Sequence, residues 1–357
     1  MEKLGIPSPS FWRDKRVLVT GHTGFKGTWL MNWLNELGAT TAGLSYSGYP
    51  KTILGNVDAQ LDLNIDSDIR GEDWQEKISN FQPQIIFHLA AQSLVYTGII
   101  NPQETFETNV IGSIHILELM NTITSIITVV IITTDKVYQI GNGDRPRIEE
   151  DPLGGVDPYS ASKSAVELIA KAWSIGNEQS LLTARSGNVI GGGDAATKRL
   201  VPDLIRAWHS GEAINLRSPM GIRPWLHVLE PLRGYLLLAE LGFTQTSLRQ
   251  SFNFAPSPNN HVKVKEIAQR ALATLPSNHG FEIHEQSTIE FFETKELMLN
   301  ATKAKTQLNW SPIWGWEKAV DITFNWYQKF YQGVSPTSLY KADLDLYIND
   351  LEGSHHE

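Results

Sequence analysis

Short β-branched, apolar runs alternate with longer segments of helical period along the first half of the chain. Arg16–Thr20 (RVLVT) is apolar almost throughout and stops at Gly21, the pattern of a parallel strand buried on both faces. Apolar positions then recur at helical spacing over 25–37, and Gly38 stands where a helix places its C′ glycine. Further strands are predicted at 40–44, near LDLNID with Asp62 placed after it, at 85–88 and at 127–133. Between the last two, 105–120 sets Phe106, Val110, Ile114 and Leu117 on one helical face. A helix over 159–173 and a strand over 181–186 complete the series. The alternation predicts an α/β fold on a doubly wound parallel Rossmann sheet.

After Ser186 the texture changes: glycines cluster at Gly191, Gly192 and Gly193, strands shorten, and aromatic residues and prolines thicken. This predicts a smaller C-terminal α/β domain. Residues 12–186 with parts of 224–256 are assigned to a dinucleotide-binding domain, and 187–223 with 257–330 to a substrate domain. Trp310, Trp314 and Trp316 read as core packing.

Composition narrows the chemistry. Lys plus Arg total 30 against 39 for Asp plus Glu, and a net charge of −9 disfavours a nucleic-acid partner. The absence of cysteine removes disulfides, thiolate nucleophiles and Cys-ligated metals, and no histidine pair has HExxH spacing, so no metal is expected. The longest apolar run is too short to cross a bilayer. The opening MEKLGIPSPS lacks the apolar core of a signal peptide, which makes the cytoplasm the expected location.

TGHTGFKG places Gly21, Gly24 and Gly27 between the first strand and the first helix. Glycines there let the backbone approach a pyrophosphate while the helix N-terminus presents N–H groups. The end of the second strand carries Ser45 and Tyr46 instead of the usual ribose-binding carboxylate, which weakens discrimination of NAD from NADP; Lys51 nearby would attract a 2′-phosphate. Asp62 is a candidate partner of the adenine amino group. In DPYSASK, Tyr159 and Lys163 lie four apart on one helix face. A phenol titrates near ~10, and a nearby ammonium lowers that value, so the pair is suited to removing a hydroxyl proton.

TGHTGFKG, HLAAQS, TTDKVY, DPYSASK and RSGNVIGGGD occur in the order seen in the extended short-chain dehydrogenase/reductases, which this chain resembles. The longer strings EEDPLGGVDPYSASKSAVEL and IRPWLHVLEPLRGYLLLAE look most like the CDP-glucose 4,6-dehydratases. The resemblance implies NAD as cofactor, held by Gly21, Thr23, Gly24, Phe25, Gly27, Asp62, Leu63, Leu89, Ala90 and Ala91 together with Tyr159 and Lys163. It implies that Thr134 binds the sugar 4-hydroxyl, Tyr159 acts as base there, and Asp135 protonates the departing 6-hydroxyl. Related dehydratases usually carry a glutamate next, to remove the C5 proton; this chain has Lys136, as the CDP-glucose branch does. A lysine lowered in pKa would take that proton, or else stabilise the enolate while another group does.

Asn188 and Arg223 are the expected diphosphate contacts, and Gln92 and Ser93 the expected hexose contacts. Lys198, Arg199 and Glu296 are weaker candidates. The implied reaction is water loss from CDP-glucose to a 4-keto-6-deoxy sugar, by a homodimer joined through helices near 105–120 and 159–173. Alternatives are a dehydratase for dTDP-glucose or GDP-mannose, a sugar-nucleotide 4-epimerase, which would not need Asp135–Lys136, and a dinucleotide-sensing regulator, which would not need the Tyr–Lys pair.

Overall fold

The computed structural model describes residues 5–48, 52–53, 61–141, 145–257, 262–276, 281–285 and 298–353; Lys51 and Glu296 lie outside them. A one-turn helix α1 (Pro9–Trp12) leads into β1 (Arg16–Thr20) and α2 (Phe25–Glu36). Then come β2 (Thr40–Ser45), β3 (Leu63–Asp66), α3 (Gln75–Phe81), β4 (Ile85–His88), α4 (Val95–Ile100) and α5 (Pro102–Phe106). After α6 (Gly112–Thr122) follow β5 (Thr128–Ile132), α7 (Pro158–Trp173) and β6 (Ser180–Ser186). The predicted helix stop holds: Gly38 has φ +81°, the left-handed conformation that a glycine adopts without strain. Helix α7 begins as its sequence dictates, with Pro158 in the first turn and the Asp157 carboxylate accepting from the Ser160 N–H at 3.0 Å.

The remaining elements are β7 (Val189–Ile190), α8 (Leu200–Ser210), β8 (Ile214–Leu216), β9 (Ile222–Arg223), β10 (Leu226–His227), α9 (Leu229–Thr244) and β11 (Arg249–Phe254). Last come β12 (Val262–Lys263), α10 (Val264–Thr274), β13 (Ile283–Glu285), α11 (Thr302–Leu308), α12 (Trp316–Tyr331) and α13 (Pro336–Gly353). Seven strands form one parallel sheet in the order β11-β6-β5-β4-β1-β2-β3. The order reverses between β1 and β4, which opens a ligand crevice at the C-terminal ends of those strands. Strands β7, β8 and β9 form small two-stranded pairings with β10, β13 and β12.

Apolar side chains cover both faces of the sheet, which is why its central strands read as continuous apolar runs. One layer gathers Trp29, Trp33, Leu236, Trp310, Phe324 and Tyr347, and extends into the C-terminal helices. The other gathers Trp74, Ile78, Ile116, Leu117 and Val166. Each such fully buried side chain contributes about 1.5–3 kcal/mol. Trp310 and Trp314 are buried and Trp316 packs against the same layer, as expected of core residues.

The segment 105–120 departs from its prediction. It is one turn of α5, a π-helical turn Glu107–Ile111, and then α6. The wider turn shifts the helical phase, so Thr105, Asn109, Ser113 and Ile116 face inward while Phe106 is 39% exposed. The predicted face of Phe106, Val110 and Ile114 is therefore not the buried one; only Leu117 is fully covered.

Candidate active site

The turn after β1 is shaped by close backbone approach. Gly21 has φ +70°, and a Cβ there would lie 2.8 Å from the Ala90 nitrogen; a Cβ on Gly27 would lie 2.1 Å from the Gly21 oxygen. Gly24 is the N-cap of α2 and no side chain caps that end. A glycine-walled turn leading into an uncapped helix N-terminus fits a pyrophosphate, so these residues suit a dinucleotide. Thr23 donates its N–H to Ser45 Oγ at 3.2 Å, and that hydroxyl also meets His22 Nδ1 at 2.9 Å, so the serine in the carboxylate's place braces the turn. Phe25 is buried beneath it.

Leu89 and Ala90 sit on the opposite wall, their N–H groups bonded to the Thr20 carbonyl and hydroxyl, with Ala91 half-buried beyond them. Asp62 requires a correction. It precedes β3, and its carboxylate accepts from the Thr41 N–H at 2.8 Å. Asp62 and Leu63 thus lie at the N-terminal end of β3, away from the crevice; Ser67 and Asp68 follow the end that faces it. Asp68 is itself engaged by Arg70 through a forked contact of 2.9 and 2.6 Å. Gln92 is also corrected. It is 1% exposed, and its side chain bonds Leu94 on both sides and Thr105 Oγ1 at 2.9 Å, so it is turned into the fold and both amide hydrogens are taken. Ser93 is exposed and accepts from Arg199 Nη2 at 3.0 Å, while Arg199 Nη1 reaches Asp194 at 3.0 Å.

Beyond β5 the chain turns through a 3-10 element, Asp135–Val137, with Thr134 at its N-cap. Thr134 donates its hydroxyl to Asp135 Oδ1 at 2.9 Å, and its side chain is close enough to the Tyr159 phenol to oppose the upward push of burial on it. Asp135 is 3% exposed and its Oδ2 has no hydrogen-bond partner. Burial pushes the Asp135 carboxyl above its usual value, against the opposing charges of Lys136, Arg223 and Lys26 and the Thr134 hydrogen bond. A buried carboxyl with an open oxygen is equipped to hold and deliver a proton. Lys136 is half-buried beside it.

Tyr159 and Lys163 stand one turn apart on α7, and Lys163 Nζ donates to the Ile132 carbonyl at 3.0 Å. The expected downward pull on the phenol is not what dominates. Burial pushes Tyr159 up to about 12, with Thr134 and Arg199 opposing. Burial and the charge of Lys26 bring Lys163 down to about 8, with Glu167 opposing. Lys26 escaped the reading of the sequence because the glycines around it dominate TGHTGFKG. It reaches from α2 to Ser186 Oγ at 2.9 Å and Tyr235 Oη at 3.2 Å, and burial, then Arg199, lowers it to about 7.

Residues beyond β6 also reach this region. Asn188 is half-buried after β6, and its carbonyl accepts from the Leu226 N–H at 3.0 Å. Arg223 in β9 is buried and close enough to act on Asp135 by charge. Lys198 lies 4.9 Å from the Tyr96 ring centroid. Among the described residues no group of three or more His, Cys, Asp or Glu is gathered to hold a metal.

Residues 17–249 match the NAD dependent epimerase/dehydratase family along most of the Rossmann sheet. The chain belongs to that family. Within it, the chain is 36% identical to CDP-glucose 4,6-dehydratase of Salmonella typhimurium, over 95% of this chain and 98% of that one. It is 25% identical to dTDP-glucose 4,6-dehydratase of Haemophilus influenzae, over 87% and 97% of the two chains. The fold is shared with solved structures such as dTDP-glucose 4,6-dehydratase of Bacillus anthracis, at TM-score 0.74 and 22% identity over 90% of this chain and 99% of that one.

Proposed function

We propose that this chain removes water from CDP-glucose to give CDP-4-keto-6-deoxyglucose. The observation that carries the reading is Asp135: a buried carboxyl raised in pKa, one oxygen open, beside Thr134 and Tyr159. A 4-epimerase needs a base at the 4-hydroxyl but no such acid. The likeness to the Salmonella enzyme over nearly the full length favours the cytidine sugar.

In this reading NAD, when bound, supplies the acceptor and later the donor of hydride. Thr134 hydrogen-bonds the 4-hydroxyl. Tyr159, which burial keeps protonated before NAD binds, takes that proton only as the phenolate, a form that the Lys163 ammonium and the positive charge of bound NAD would favour. Lys163 would also hold the nicotinamide ribose. The protonated Asp135 gives its proton to the 6-hydroxyl as water leaves. Lys136, as the amine, takes the C5 proton, which the neighbouring 4-ketone has already acidified, and gives a proton back to C5 when C6 is reduced. Asn188 and Arg223 hold the sugar diphosphate; the planar fork of the arginine suits two phosphate oxygens. The small pairings after β6, with α8 and α10, form the nucleotide-sugar lobe on the dinucleotide-binding sheet.

We also read the protein as a homodimer. Support comes from exposed Ile99, Ile100, Phe106 and Ile111 on α4, α5 and the π turn, and from Leu168 and Ile175 at α7. No described helix is long and apolar enough to cross a membrane, and a cytoplasmic site of action agrees with a nucleotide-sugar substrate.

Separate incubations with CDP-glucose, dTDP-glucose and GDP-mannose test the substrate. The expected outcome is a 4-keto-6-deoxy product from CDP-glucose at the highest kcat/KM. A C4 epimer that keeps its 6-hydroxyl would refute the dehydratase reading.

A further inference from the structure

Thr134, Asp135 and Lys136 occupy a turn whose two flanks are tied to the same buried ion pair. On the N-terminal flank, Thr133 donates its hydroxyl to Glu167 Oε1 at 2.5 Å. On the C-terminal flank, Arg185 Nη1 donates to the Tyr138 hydroxyl at 2.8 Å, and that hydroxyl donates to Asn253 Oδ1 at 2.7 Å. Glu167 and Arg185 meet through a two-point contact, Nε to Oε1 at 2.9 Å and Nη2 to Oε2 at 2.8 Å. The guanidinium also lies 5.0 Å from the Tyr138 ring centroid. Glu167 stands one turn beyond Lys163 on α7, so the helix that carries Tyr159 and Lys163 also carries the anchor of the turn.

The remaining contacts agree. The Thr183 and Ser251 hydroxyls donate to Glu167 Oε2 at 2.7 and 3.2 Å, and Arg185 Nη1 also reaches the Glu149 carbonyl at 3.1 Å. Burial pushes the Glu167 carboxyl up, and Arg185 with the threonine hydroxyls more than reverses this, so it is held ionised. A buried ion pair is seldom more stabilising than apolar side chains of the same volume. What it supplies is fixed direction, through a network in which every partner is satisfied.

We propose that Glu167 and Arg185 are positioning residues that fix the turn bearing Thr134, Asp135 and Lys136 against the helix bearing Tyr159 and Lys163. The proposal rests on the dehydratase reading. Tyr138 is the tie nearer Lys136, two residues along the chain, and it governs water loss. Thr133 is the tie nearer Thr134, and it governs oxidation at C4. A displacement of about 1 Å is enough to cost about a hundredfold in rate.

Removing one partner of the buried pair risks unfolding the chain, so the ties are cut at the flanks, with Tyr138→Phe and Thr133→Val. Amide hydrogen exchange across 133–138, measured without substrate, is expected to quicken about tenfold in both variants, while exchange in α2 stays as in the wild type. With CDP-glucose and NAD, Tyr138→Phe is expected to lose about tenfold in kcat and to accumulate reduced cofactor. Thr133→Val is expected to lose a similar factor without that accumulation. Unchanged exchange in both variants would overturn the clamp. Faster exchange with both stages slowed in proportion would overturn its division between the two ties. If the wild-type protein does not dehydrate CDP-glucose, the functional reading fails, and the exchange data alone still decide whether the pair holds the turn.

Discussion

In the proposed reaction Asp135 and Tyr159 divide the chemistry, and the acid and the base make opposite demands on pH. Burial raises the Asp135 carboxyl, so it keeps its proton to higher pH than an exposed aspartate would. Water loss should therefore fall as pH rises through that elevated pKa. Asp135→Asn removes the transferable proton; turnover is expected to drop by about a hundredfold or more, and the falling limb of the kcat profile should vanish. Reduced cofactor should build up, because C4 oxidation still proceeds. Tyr159→Phe should cut C4 oxidation itself by a similar factor while cofactor binding persists, so no reduced cofactor builds up. Equal accumulation in the two variants would contradict this assignment of roles. The Tyr159–Lys163 pair was legible from sequence because a spacing of four fixes a shared helix face. Gln92 was not, since a glutamine after a strand looks the same whether it faces a ligand or, as here, Leu94 and Thr105. Lys26 was hidden for another reason: only the folded chain brings Ser186 and Tyr235 to its ammonium.

Among the elements, the central strands were readable because burial on both faces makes them apolar without interruption, as in β5. Strand β3 lies at the sheet edge and is half exposed, so LNID carries little apolar signal, and the pattern does not fix on which side of the strand Asp62 falls. The π turn before α6 was invisible because a one-residue shift of phase leaves the apolar count unchanged. Helix α13 braces the far side of α2, the helix whose N-terminus forms the glycine cradle, with Tyr340 against Trp29 and Tyr347 against Trp33. Its Asp343 has a buried oxygen without a hydrogen-bond partner, and burial lifts the carboxyl to about 7, with Lys329 opposing. An acid whose folded-state pKa exceeds its unfolded value of 3.8 keeps its full stabilising contribution only below that value, and loses it as pH rises through about 7. Asp343→Asn mimics the protonated form. Between pH 5 and pH 8 its melting temperature should fall less than that of the wild type, by roughly 2 °C or more. An identical pH slope in the two proteins would contradict the account of this helix.

At the scale of the whole molecule, a parallel sheet whose order reverses between β1 and β4 brings together residues far apart in sequence: the Gly21 turn, Thr134, Tyr159 and Arg223. Alternating strand and helix patterns were enough to foresee that sheet. The return of β11 to its edge, beside β6, was foreseen only as a chain segment rejoining the first domain. The exposed apolar residues on α4, α5 and α7 predict a homodimer at micromolar concentration by sedimentation, and Leu168→Glu on α7 should shift it toward monomer; a wild-type monomer would contradict the dimer reading. The central claim concerns where a hydrogen travels. CDP-glucose carrying deuterium at C4, turned over with NAD and analysed by NMR, should yield a 4-keto-6-deoxy sugar with the deuterium at C6. Deuterium found back at C4, on a sugar that still holds its 6-hydroxyl, would contradict the account.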